Sequence, residues 1–346
     1  MADETTRTLG WAVVGLGSIV RSTIAPGIVK DPAATLVAAV SRDQGRADAF
    51  ATEFGAKRGY DDLDAALADP DVDAVFIATP NAVHAEQVAA VAAAGKHVLC
   101  EKPIATTVED AVREVEQCAS AGVRFGVNFH NRYLQWVRDA KQLIADGAIG
   151  TVQTVEVEVS AGNKDPKDWR RSAALAGLGT TYNIGVHAFD FVRYLLDDDP
   201  AEVFALFDVP EGSLETETEA LLLMRNVSGA HVYANVNQKN PHPLNRIAIY
   251  GTEGRITGTG LTRSRSDGEL QILTPDGEET RFYEQPSGWA HEQCVSGFTR
   301  AVLDGRDPDP AGVDGLYSAI LCEGIARSVA ERRLVELDYA SVPTGI

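Results

Sequence analysis

The chain has 346 residues, enough for two domains of ordinary size, each with its own core. Hydrophobic residues make up 45% and charged residues 23%, as in a globular protein, and no apolar run reaches the ~20 residues a membrane helix needs. A formal charge of −19 argues against nucleic acid as a partner, because binding its phosphate backbone needs a basic surface.

The first part alternates two kinds of pattern. Apolar runs occupy residues 9–17 (LGWAVVGLG), 34–41 (ATLVAAVS), 72–79 (VDAVFIAT), 96–101 (KHVLCE) and 123–129 (VRFGVNF). Continuous apolar runs suit strands covered on both faces, hence a parallel sheet. Helical patterns lie between them at 43–54, 81–95 and 107–122. In the last, Val108, Ala111, Val112, Val115, Cys118 and Ala119 form one stripe, with Thr107 as N-cap and Gly122 at the end. Such alternation implies a doubly wound α/β domain, placed at residues 1–128.

After about residue 130 the pattern changes. Residues 136–150 read as a helix. Residues 151–160 (TVQTVEVEVS) alternate with period two, as do stretches at 219–225, 229–238, 246–258 and 268–284, the last with a TPDGEE hairpin signal. A helix near 183–196 is inserted among them, and helices at 287–305 and 314–333 close the chain. The expectation is a second domain at residues 129–346, α+β in class, on a large, mostly antiparallel open sheet. One face of such a sheet needs cover, which a second subunit would supply in a homodimer or homotetramer.

Residues 13–20 (VVGLGSIV) follow a strand and precede a helix. Gly15 permits a tight turn, and Gly17 lets a pyrophosphate approach backbone N–H groups at the helix start. At the first strand of an alternating series, this is the fingerprint of a Rossmann dinucleotide-binding domain, with Ser18 and Ile19 beside the cofactor. Ser41 falls at the expected distance of about 20 residues beyond Gly17. An acidic residue there would bind a ribose 2′-hydroxyl; Ser41 is neutral, and Arg42 and Arg46 are cationic. An arginine fork suits a phosphate, which favours NADP(H), with NAD(H) left open by Asp43. Thr79, Pro80, Asn81 and His84 follow the third run, at a strand end where ligands sit.

Lys102 stands at another strand end, between Glu101 and Pro103, a proline that makes a cis peptide accessible. With the glycine loop it would flank one crevice. The motifs "TPNAVHAE", "GKHVLCEKPIA", "GVNFHNRY", "DWRR" and "GVHAFDFVRYLL" resemble those of the glucose–fructose oxidoreductase/inositol dehydrogenase/rhizopine catabolism (Gfo/Idh/MocA) family, over nearly the whole chain. The look is that of its 1,5-anhydrofructose reductase and aldose dehydrogenase members. The resemblance implies that Lys102 contacts the reacting oxygen of a substrate and that His187 gives or takes its proton. It also implies cofactor contacts at Glu101, Lys102, Asn128, Trp169 and Arg170. Most relatives carry aspartate where this chain has Asn183. An amide orients a hydroxyl but takes no proton, so the acid–base burden would fall on His187, one helical turn away on the same face.

The chemistry is self-consistent: a histidine titrates near neutrality and an ammonium stabilises a developing alkoxide. The expected activity is therefore NAD(P)-dependent hydride transfer to or from a carbohydrate or polyol. The alternatives are a non-catalytic dinucleotide sensor on the same scaffold and a dehydrogenase of a non-sugar such as a trans-dihydrodiol. Asn163, Lys164, Asn237 and Lys239 are candidate polar liners of the substrate pocket. Cys100, Cys118, Cys294 and Cys322 are far apart and form no CxxC pair, so reduced thiols and no metal site are expected. The polar start, without an apolar signal region, points to the cytoplasm.

Overall fold

The computed structural model describes residues 7–161, 169–208, 215–260 and 267–343. The apolar runs of the first part form a six-stranded parallel sheet in the order β3-β2-β1-β4-β5-β6. Its strands are β1 (Leu9–Val14), β2 (Ala34–Val40), β3 (Arg58–Tyr60), β4 (Ala74–Ile77), β5 (His97–Cys100) and β6 (Phe125–Val127). Helices α1 (Ala25–Lys30), α2 (Gln44–Phe54), α3 (Leu63–Leu67), α4 (His84–Ala93) and α5 (Val108–Ser120) make the crossovers. Strands β1, β4 and β6 are fully buried, which is why their sequences lack polar alternation. The strand order reverses between β1 and β4, so the crevice lies beyond their C-terminal ends.

From β6 the chain enters α6 (Gln135–Ala145), β7 (Val152–Ser160), α7 (Ala173–Ala176) and α8 (Val186–Leu196). It then runs through β8 (Pro200–Phe207), β9 (Glu219–Asn226), β10 (His231–Asn237), β11 (Arg246–Gly251), β12 (Arg255–Thr259), β13 (Gly268–Thr274) and β14 (Gly277–Tyr283). Helices α9 (Trp289–Leu303) and α10 (Gly312–Glu331) and the short β15 (Val335–Glu336) close it. The second sheet has nine strands in the order β14-β13-β12-β11-β7-β10-β9-β8-β15. It is antiparallel except where β10 runs parallel to β7. Helices α6, α8 and α10 cover one of its faces.

Three expectations about elements need correction. Strand β3 was not expected; three residues are too short to show a period. Strand β8 was not expected either. Val203 and Ala205 point into the core, but Phe204 and Leu206 on the other face are apolar too, which erases the period-two signal. Residues 246–258 are not one strand but the β11–β12 hairpin, closed by the Gly251 N–H donating to Gly254 O at 2.8 Å.

Helix α9 lies against the first sheet. Trp11 of β1 donates its indole N–H to Thr299 Oγ1 at 3.2 Å and packs on Phe298. Val295 and Phe298 belong to the same apolar cluster as Leu9, Trp11 and Val13.

Candidate active site

A cleft of about 360 Å³ opens where the two sheets meet, within the range of small-molecule sites. Its walls come from the glycine loop (Gly17, Ser18, Ile19), the ends of β4 and β5 (Thr79, Asn81, Glu101, Lys102), a turn at Trp169–Arg170, and Asn183 and His187. The residues expected at the reacting centre are thus brought together.

The glycine loop is shaped by two different needs. Gly15 has φ +86°, and a Cβ there would lie 2.5 Å from Ala78 O. At Gly17 a Cβ would meet nothing within 4 Å, so the space above it is open. Open space over Gly17, at the start of a helix, fits a dinucleotide pyrophosphate.

Asn81 anchors the end of β4 by donating from Nδ2 to Ala176 O at 2.9 Å. Several expected cofactor residues stand behind or beyond the cleft wall. His84 is fully buried, with Nε2 2.9 Å from Thr79 O and Nδ1 2.9 Å from Pro103 O, so it ties the β4 loop to the β5 loop. Asn128, also fully buried, donates to Glu101 Oε1 at 2.6 Å. Ser41 and Arg42 follow the end of β2, and Arg46 lies in the first turn of α2. Arg46 donates to Leu16 O at 2.8 Å, which brings its guanidinium to the glycine loop. Asp43 caps α2 by accepting the Arg46 backbone N–H at 2.8 Å.

The Lys102–Pro103 peptide is cis. Lys102 Nζ donates to Asn183 O at 2.7 Å, joining the end of β5 to the helix that carries His187. Burial, helped by Arg170 and opposed by Glu101, pulls the Lys102 pKa down to about 8. Burial pushes the Glu101 carboxyl up, against the pull of Lys102.

Asn183 belongs to a π-helical turn, Thr181–Gly185, that runs into α8, and His187 is the second residue of α8. Glu217, almost fully buried, fixes this start. Its carboxylate accepts N–H groups from Gly179 at 2.7 Å and Thr181 at 2.9 Å. A Cβ on Gly179 would lie 2.1 Å from Glu217 O, so this position needs a glycine. One turn along α8, Asp190 receives a buried bidentate contact from Arg132. Burial works against the Arg132 charge, but Asp190 and Asp314 outweigh it and raise its pKa.

His187 keeps only 9% of its surface exposed. Burial, then Lys102 and His291, hold its pKa well below that of a free imidazole. Its Nδ1 is enclosed and meets no hydrogen-bond partner among the described residues. Two further histidines line the cleft and were not expected: His130, in the turn after β6, and His291, in the first turn of α9. His130 sits inside the GVNFHNRY motif, with no signal of its own; His291 lies outside every motif of the resemblance, and the fold brings both to His187.

Of the candidate polar liners, Asn237 and Lys239 are not among the residues that line the cleft. Asn237 is buried at the end of β10, where its Oδ1 accepts from Ser160 Oγ at 2.8 Å and from two backbone N–H groups. Lys239 pairs with Asp208 at 2.6 Å. Asn163 and Lys164 lie outside the described residues. The four cysteines are free and buried, and no cluster of metal ligands occurs among the described residues. No helix among those residues is long and apolar enough to cross a membrane.

Known proteins match this architecture. Residues 9–129 match an oxidoreductase family with an NAD-binding Rossmann fold, and residues 137–257 match the GFO/IDH/MocA C-terminal domain. The chain is 30% identical to 1,5-anhydro-D-fructose reductase of Ensifer adhaerens, covering 95% of this chain and 98% of that protein. It superposes on aldose-aldose oxidoreductase from Caulobacter crescentus, solved with glycerol, at a TM-score of 0.89 and 29% identity, covering 96% and 100% of the two chains. Levoglucosan dehydrogenase, solved with NADH and levoglucosan, shares the fold at a TM-score of 0.88 and 24% identity over 96% of this chain and 100% of that one. The glycine loop over an open crevice, the Glu-Lys-Pro strand end and the paired sheets therefore have one reading: the chain belongs to the GFO/IDH/MocA family of oxidoreductases.

Proposed function

We propose that this oxidoreductase moves a hydride between a nicotinamide cofactor and a carbohydrate or polyol, at a carbon bearing a hydroxyl or carbonyl. The observation that carries the reading is that Lys102 and His187 line one cleft beside the glycine loop. Bound over Gly17, the cofactor supplies the hydride acceptor or donor. Lys102 polarises the substrate oxygen with its ammonium group. His187, neutral at rest, takes the hydroxyl proton in oxidation and returns it in reduction. Asn183 orients a substrate hydroxyl without exchanging protons. Trp169, Arg170, Thr79 and Asn81 border the nicotinamide half.

NADP(H) is the favoured cofactor. Arg42 is exposed and Arg46 reaches the glycine loop, while Asp43, the acid that could bind a ribose 2′-hydroxyl, caps α2. A second copy of the chain covers the open face of the second sheet, where Leu206 and Leu223 are 55% and 57% exposed. The protein works in the cytoplasm, where its buried thiols stay reduced.

The test is a screen of aldoses, ketoses and polyols, following nicotinamide absorbance with both cofactors in both directions. Turnover with at least one sugar or polyol is expected, with higher kcat/KM for NADP(H). Lys102→Ala should cut kcat by about 10²- to 10³-fold and leave cofactor affinity within about two-fold. Cofactor binding without turnover of any compound would mark a sensor instead, and unchanged turnover in Lys102→Ala would remove Lys102 from the chemistry.

A further inference from the structure

The cleft shares a wall with a second chamber of about 490 Å³, and His130, Asn183, His187 and His291 line both. Beyond them the chamber is bordered by Ser22, Thr23, Asn131 and Ser287, whose hydroxyl and amide groups can hold water, and by the apolar side chains of Leu134, Ile184 and Ala290. The three rings come from three elements. His130 lies flat against His291 with centroids 3.5 Å apart, and meets His187 edge-on at 5.0 Å.

A buried histidine kept for structure is hydrogen-bonded, as His84 is at both nitrogens. His187 is not: its Nδ1 is enclosed and unpartnered among the described residues. Among the same residues no carboxylate pairs with the cluster, and its polar contact is His130 Nδ1 with Asn128 O at 3.4 Å. Yet a base that accepts a proton in each turnover must pass it on, and Asn183 cannot receive it.

We propose that His130 and His291 form, with His187, a relay that carries the substrate's hydroxyl proton between the reaction cleft and water in the second chamber. The proposal rests on the hydride-transfer reading above. The hydroxyl loses one proton and His187 gains it. No ring nitrogen is hydrogen-bonded to another ring among the described residues, so water in the space that all three line carries the proton on to the stacked pair, and one proton enters the chamber; reduction runs the path backwards. One proton occupies the relay at a time, because the rings disfavour charge on one another and Lys102 disfavours it on all three. Among the described residues, Glu101 and Arg170 line the same cleft, and the Arg132–Asp190 pair lies one turn along α8 from His187.

His291→Phe keeps a flat ring for stacking but carries no proton. Its kcat should fall about 10- to 100-fold with KM within about two-fold, and added imidazole should restore part of the loss. Wild-type kcat in His291→Phe overturns the relay. The unaltered enzyme gives a second reading if that variant does not fold. In single turnovers, mixtures of light and heavy water should give a bowed rate curve, the mark of more than one proton in flight; a straight line overturns the relay. Should no sugar or polyol react, the functional reading fails, and the relay is judged by histidine NMR. His291→Phe should then raise the titration midpoints of His130 and His187, and unmoved midpoints overturn it.

Discussion

Lys102 is an ammonium held where an ammonium is poorly solvated. Its pKa, pulled down to about 8 by burial, sets a sign for the pH response. Below that value the group is cationic and stabilises an alkoxide; above it the charge is lost. The kcat of reduction should therefore fall as pH rises through about 8, and Lys102→Arg, charged throughout, should flatten that limb if it turns over at all. A wild-type profile without a limb near that pH would show that the charge of Lys102 is not used. Lys102 could be found in the sequence because its signal is local: a strand end, an acid and a proline in consecutive positions. His187 needed the family resemblance as well. His291 and Glu217 left no trace, because each works through neighbours tens of residues away along the chain, and His130 carries no signal of its own inside the GVNFHNRY motif for the same reason.

Single elements carry their own oddities. Helix α5 was legible as an amphipathic stripe with a Thr107 cap, and the cap forms, with Thr107 Oγ1 accepting the Asp110 N–H at 3.1 Å. Yet Glu114 on that helix is only 1% exposed, and neither of its carboxylate oxygens meets a hydrogen-bond donor among the described residues. Burial, with Asp110 adding to it, pushes its pKa well above the usual carboxylate range. Such a group adds stability fully below its unfolded pKa, and the contribution is lost as pH rises through the folded value. Glu114→Met, similar in volume and uncharged, should raise stability by about 1–3 kcal/mol at neutral pH, by less in mild acid. Denaturant unfolding at two pH values would check this, and a variant less stable than wild type at neutral pH would show a hidden role for the carboxylate. Strand β8 teaches a related lesson: apolar side chains on its outer face, which hid it from a period-two reading, are the same ones left uncovered in the folded chain.

At the scale of the molecule, that uncovered face is continuous. Phe204 pairs with Leu223, Leu206 with Leu221 and Tyr233 with Leu223, so these side chains share one surface of the second sheet. An exposed apolar patch of this kind marks an association surface. Light scattering should find a dimer or tetramer, and Leu223→Glu should shift it toward monomer while the fold persists; a monodisperse wild-type monomer would refute the assembly. The parallel sheet, the antiparallel sheet and the crevice were all legible in outline, because each follows from alternation along the chain. The return of α9 to β1 was not, since no pattern in residues 289–303 announces which sheet they join. That return has its own consequence. Trp11 and Thr299 are bonded across almost the full sequence, so the polypeptide is buckled like a belt, its late turns clasping its first strand. Cutting after residue 128 would leave Trp11 and Val13 without the cover that Phe298 and Val295 give them. Amide hydrogens of β1 and of β10 should then exchange through the same global opening, and the two halves should melt together rather than in turn.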